Sequence, residues 1–263
     1  MRSELDLTDV AIAPPEVLKE DLVERIAAVV NKDLYGTRHL LAGNIPRIVA
    51  RYTKPEDAES VVQSLNAAGV VAFMYKDSEL HRPPPARFRA HSLKLGEGKV
   101  TFRDNNNREK SVEAGQAFLI LQGTTQTFTE NESIKTSMKF SLPRTILLGG
   151  IPVWRKVKEK TRDVAVQTAS FIRLYERTSM DPSIEIMRND FDYSFLGPRM
   201  ASSSLVNLNA TAAELRRAFP QAAFDDRLAK SLGAGGPFPS PADSIELNCR
   251  LIYLYYRAVR SVG

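Results

Sequence analysis

Ile45-Pro46-Arg47-Ile48-Val49-Ala50-Arg51-Tyr52, answered by Gly69-Val70-Val71-Ala72-Phe73-Met74-Tyr75-Lys76, is the stretch that decides the fold class. Between the two β-type runs, Ala58, Val61, Val62, Leu65 and Ala68 recur at three- and four-residue spacing, so they share one helical face. Thr53 and Glu56 have capping-box spacing, and Pro55 falls in the first turn, where a missing N–H costs little. Gly69 follows the last apolar position, where a left-handed C-terminal cap is wanted. The pattern predicts a βαβ unit whose strands run parallel with a right-handed crossover. The second run is continuously apolar, which predicts a strand buried on both faces. The turn after the first strand, Tyr52-Thr53-Lys54-Pro55, has no glycine to bring backbone amides to a phosphate. A nucleotide-binding βαβ is therefore disfavoured, and a structural or regulatory module is expected.

Working toward the N-terminus, residues 1–13 read as a flexible lead. Pro14-Pro15 then opens a helix to about Asn31, striped by Leu18, Leu22, Ile26, Val29 and Val30. A second short helix is expected over residues 34–41. These pieces make residues 1–80 one αβ module. Working toward the C-terminus, His81-Arg82-Pro83-Pro84-Pro85 can continue neither a helix nor a central strand, so residues 81–87 read as a semi-rigid linker.

Beyond it, residues 88–263 form the second expected domain. Short β-type runs at 88–95, 99–103, 117–122 and 135–142 are separated by Gly96-Glu97-Gly98, Asp104-Asn105-Asn106-Asn107 and Glu113-Ala114-Gly115-Gln116. The asparagines favour a hairpin tip. Two more strands are expected at 170–175 and 183–187, helices at about 202–219 and 222–232, and a loop at 233–241. A last helix is capped by Asp243 or Ser244. Its polar ridge, Glu246, Arg250, Tyr253, Arg257 and Arg260, is expected to face outward, and Cys249 to be an inert core thiol. The fold class is thus α+β: an N-terminal αβ module with a βαβ unit, then an antiparallel β-rich module, barrel-like or an open sheet, closed by C-terminal helices.

The 263 residues are 43% hydrophobic and 25% charged, ordinary values for a globular chain with a real core. No apolar run approaches the ~18–20 residues of a membrane span. The acidic N-terminus has no apolar segment of the secretory type, and one cysteine allows neither an intramolecular disulfide nor a multi-cysteine metal site. A cytoplasmic location is expected. Charge is unevenly placed. Residues 1–80 carry 9 basic and 13 acidic side chains, a balance of −4. Residues 81–160 carry 15 and 7, a balance of +8, and residues 161–263 carry 12 and 11, a balance of +1.

Catalytic patterns are missing. His39, His81 and His91 show no metal-ligand spacing, and there is no Gly-x-Ser-x-Gly elbow and no Walker A loop. The best acidic set is Asp181, Glu185, Asp190 and Asp192, of which Glu185, Asp190 and Asp192 are weak metal candidates for phosphodiester cleavage. Met187 stands where that chemistry would want a lysine. The simpler expectation is that Glu185 alternates outward between buried Ile184 and Ile186, while Asp190 and Asp192 cap a turn. No cofactor is expected.

The basic middle offers a binding surface instead. Arg87, Arg89, Arg103 and Arg108 lie in the first hairpins, and Trp154 abuts Arg155, Lys156 and Lys158. Aromatic and cationic residues together suit a protein interface, stacked nucleic-acid bases or an anionic membrane face. The leading expectation is a non-enzymatic binding or scaffolding protein acting through protein contacts, with opposite charges on one chain able to pair head to tail in self-assembly. A nucleic-acid-binding protein and a metal-dependent phosphodiesterase are the alternatives.

Overall fold

The computed structural model describes the backbone of residues 6–15, 17–140, 154–230 and 245–261, and their side chains except at 126–140, 154–167 and 261. The expected cap at Asp243 or Ser244, the 233–241 loop and the end of the β-type run at 141–142 lie outside the described residues. The chain divides into two compact units, residues 1–124 with 170–263, and residues 125–169. The fold is α+β.

In the first unit, the N-terminal sheet has the order β2-β1-β3, with β1 at Thr8–Ile12, β2 at Arg47–Tyr52 and β3 at Ala72–Lys76. Strands β2 and β3 are parallel to each other, as a βαβ crossover requires, but β1 lies between them and is antiparallel to both. The supposed flexible lead is therefore the central strand. Val10, Ala11 and Ile12 are wholly buried. The run Val10-Ala11-Ile12-Ala13 is too short to be distinctive alone, and it becomes a strand because two edges await it.

Helix α1 (Glu20–Val30) buries Leu22, Val23, Ile26, Ala27 and Val30, and ends at Asn31 with φ 51. Helix α2 (Leu34–Leu41) is capped by Asp33, whose carboxylate accepts from the Gly36 amide at 2.7 Å. The crossover helix α3 (Pro55–Ala67) starts one residue later than a Thr53–Glu56 capping box needs. Its N-cap is Lys54, with no side-chain bond. Its other end follows expectation: Gly69 takes φ 96, its amide donates to Asn66 O at 3.0 Å, and the Val70 amide reaches back to Leu65 O at 3.3 Å. Strand β3 alternates instead of burying both faces, with Met74 and Lys76 outward. A short helix α4 (Asp77–His81) follows.

Among the described residues, the β-rich part forms two open sheets, with no closed barrel. Strands β4 (Arg89–Ala90), β5 (Ser92–Gly96), β6 (Lys99–Arg103) and β7 (Glu109–Glu113) come first in the chain. The last three form an antiparallel meander. Asp104 holds its tip by accepting from the Asn106 and Arg108 amides at 2.8 and 2.9 Å. The second sheet has the order β11-β8-β9-β10-β4. Strand β8 runs Ala117–Phe140 and β9 runs Trp154–Glu176, so the separate strands expected at 117–122 and from 135 belong to one strand. Strand β10 is Ile184–Met187. Helix α5 (Ser204–Ala218) precedes β11 (Ala223–Asp225). That stretch was expected to be helical, yet it pairs in parallel with Leu119, Ile120 and Leu121 before a single turn, α6 (Arg227–Lys230). The parallel edges β11 and β4 make this sheet mixed.

Helix α7 (Ile245–Ser261) closes the core. Cys249, Leu251, Ile252 and Leu254 pack with Phe118, Leu121, Phe171 and Tyr175 from the mixed sheet and with Ala11, Phe73 and Leu80 from the N-terminal module. Its polar ridge does not face outward throughout. Arg250 and Tyr253 are buried.

Candidate functional site: a buried charge network

Strand pairing places the most unusual cluster of the first unit. On β10, Ile184-Glu185-Ile186 would ordinarily turn its carboxylate to solvent. In the register observed, Glu185 lies opposite Arg173 on β9 and opposite Arg89 on β4. Glu185 is 2% exposed, which corrects the outward orientation expected from alternation. A buried carboxylate needs partners, and here cross-strand neighbours supply them.

Arg173 Nε donates to Glu185 Oε1 at 2.9 Å and Nη2 to Glu246 Oε1 at 2.7 Å. Its Nη1 lies 3.1 Å from Cys249 Sγ. Arg87 Nη1 donates to Glu185 Oε1 at 3.0 Å, and its Nη2 bonds Glu246. Arg89 Nε stands 3.3 Å from Glu185 Oε2. Both oxygens of Glu185 are therefore engaged. The Arg173 guanidinium also sits 4.5 Å above the Phe171 ring. A second cluster lies beside the first. Asp181 accepts from Arg82 at 2.6 Å and from Arg250 at 3.0 Å, and Arg250 also donates to the carbonyls of Leu80 and Arg82. Through Arg87 and Arg250 the proline-rich segment 81–87 is bound to β10 and α7.

The electrostatics follow from this geometry. Burial pushes Glu246 up, but the Arg173 and Arg87 guanidiniums outweigh it and hold the carboxyl below its ordinary value. Burial pushes the Cys249 thiol up to about 11, against the favourable influence of Arg173. At neutral pH the thiol is protonated and a poor nucleophile. The burial expected for Cys249 is observed, though its neighbour is a guanidinium and not only apolar carbon.

The other candidates are placed as follows. Arg87 belongs to the network and is largely buried; Arg89 is its solvent-side member. Arg103 pairs with Glu109 at 2.7 Å, and Arg108 with Asp104 at 2.6 Å, both in the meander. The side chains of Trp154, Arg155, Lys156 and Lys158 lie outside the described residues. Glu185 is not brought together with Asp190 and Asp192 around a shared space. Asp190 and Asp192 are exposed. Asp192 caps a turn by accepting from the Ser194 amide and hydroxyl at 2.9 and 2.8 Å, and His91 Nδ1 lies 2.7 Å from Asp190 O. Among the described residues, no group of three or more His, Cys, Asp or Glu could hold a metal ion.

A cleft of about 370 Å³ opens beside the second cluster, lined by Pro85, Phe88, Lys110, Glu176, Asp181 and Ser183 among others. Its charged groups are already occupied. Lys110 Nζ donates to Ser183 O at 3.3 Å and lies 3.9 Å from Glu176, while Asp181 holds two arginines. Arg173, Glu246 and Arg250 are site residues that no sequence motif singles out. The available signal was a cation inside Phe171-Ile172-Arg173-Leu174-Tyr175, where alternation leaves no room for a solvated face. No protein-family model, curated protein or solved structure matches the chain.

Proposed function

We propose that this chain works by protein–protein contact, as a non-enzymatic binding or scaffolding protein that self-associates. The observation that carries the reading is the pairing of the carboxylates of the charge network with arginines of the same chain. Glu185, Glu246 and Asp181 each face guanidiniums at salt-bridge distance, so none is presented as a free general base or metal ligand. Such networks hold a particular arrangement of strands and helix in register, a role for which buried ion pairs are retained in some proteins. The arginines of the meander are likewise ion-paired within the chain, which leaves fewer donors for a phosphate backbone. No helix among the described residues is long and apolar enough to cross a membrane. A reducing, cytoplasmic setting accords with a single free buried thiol.

Sedimentation velocity over a range of protein concentration and salt tests the reading. The expected result is a sedimentation coefficient that rises with concentration and falls as ionic strength increases, since exposed opposite charges are screened. One monomeric species under every condition would contradict it.

A further inference from the structure

Strands β8 and β9 outrun their neighbours. On the β11 side, pairing to β8 ends at Leu121; on the β10 side, pairing to β9 begins at Phe171. Among the described residues, β8 continues to Phe140 and β9 from Trp154 with only each other as sheet neighbours. The second compact unit, residues 125–169, contains this two-stranded ribbon. A two-stranded ribbon is marginal at best in water, and among the described residues each outer edge is a row of backbone N–H and C=O groups without a ladder partner. Strands of 24 and 23 residues far exceed the usual length.

The charges along the ribbon indicate what completes it. Residues 126–140 of β8 carry two acidic and two basic residues, whereas residues 154–167 of β9 carry five basic and two acidic. Cationic residues occupy alternate positions 156, 158, 160 and 162 of β9, and carboxylate residues the alternate positions 130 and 132 of β8. Alternate positions fall on one face of a strand, where directly opposed charges on neighbouring strands attract or repel. A β9–β9 contact would set cation rows side by side. A β8–β9 contact sets Glu130 and Glu132 of one copy beside the cation row of another, and it repeats head to tail.

We propose that the ribbon is the assembly element of this protein. The outer edge of β8 in one copy adds to the outer edge of β9 in the next, a heterologous strand addition that closes into a ring or extends as a filament. This rests on the self-association reading above and specifies its surface and partner, a second copy of the chain.

The test exchanges the charges: Glu130→Lys, Glu132→Lys, Lys156→Glu, Lys158→Glu, Lys160→Glu and Arg162→Glu in one full-length variant. Every β8–β9 contact then keeps opposite signs, so the variant assembles with itself. Mixed with isotopically labelled wild type, it forms mixed species on the order of fivefold below the random proportion in native mass spectrometry, from like charges at the mixed edges. Assembly of both proteins with random mixing overturns the ribbon as the interface and leaves the scaffolding reading standing. A wild type that stays monomeric in sedimentation removes both. Should the variant not fold, zero-length carboxylate–amine cross-linking of mixed light and heavy wild type decides the matter. Intermolecular links from Glu130 or Glu132 to Lys156, Lys158 or Lys160 are expected, and their absence from an assembled sample overturns the proposal.

Discussion

Replacing Arg173 by methionine is expected to lower unfolding stability by about 3–5 kcal/mol, the usual effect of removing one partner from a buried ion pair. Arg173 is 4% exposed and Glu185 2%. Methionine approximates the volume of the aliphatic stem and leaves Glu185 and Glu246 with Arg87 alone on the inner side of the cluster. Urea denaturation measures the loss. A double-mutant cycle with Glu185→Gln separates the pair from its surroundings, and the two substitutions together should cost less than their sum. Cys249 supplies a second readout. Its raised pKa and burial make it unreactive in the native state, and Arg173 packs directly on its sulfur. Thiol labelling should therefore be slow in the wild type and faster in the variant. A stability change under about 1 kcal/mol, small beside the usual effect of breaking a buried pair, with unchanged labelling, would show that the network does not hold the strands and helix together.

Loss of β1 should be more damaging still. Deleting residues 1–13 removes the strand to which both β2 and β3 are hydrogen-bonded. It also takes Val10, Ala11 and Ile12 out of the core, where Val10 and Ile12 pack with Leu22, Ile26, Leu41 and Leu65. A single Ile12→Ala change is expected to cost about 2–5 kcal/mol, from the apolar burial lost and the cavity left together. The deletion should leave α1, α2 and α3 without a sheet to cover, and the N-terminal module should unfold, seen as loss of helical circular dichroism and early proteolysis within residues 14–80. A shortened protein as stable and as helical as the intact chain would mean that β1 contributes nothing.

The parts of this fold that were legible in the sequence are those whose signals are local. Helix α2 is bounded by Asp33 and follows the predicted range, and the left-handed turn at Gly69 is required by the termination of α3. Strand β6 lies at its predicted residues because flanking turns confine it. What was not legible depends on partners distant in the chain. The segment around Val10 becomes a strand only between residues some forty and sixty positions away. Ala223–Asp225 has helix-compatible residues and becomes a strand because an edge of β8 receives it. Glu185 is the same case in charge terms. Alternation places it on a solvent face, and only the pairing with Arg173 and Arg89 makes its burial tolerable. Buried charges follow register, and register is non-local. The basic run of the middle third was visible as composition, but its described arginines are directed in large part to carboxylates of the same chain.

The most direct measurement is amide hydrogen exchange of the wild-type chain, followed in peptides from residues 126–140 and 154–167 at low and high protein concentration. Strand addition between copies predicts protection in these peptides that increases with concentration, while peptides from β1 and α7 stay protected throughout. Exchange in the ribbon at the rate of an unstructured peptide, unchanged by concentration, would contradict the claim that this chain acts by contact between copies.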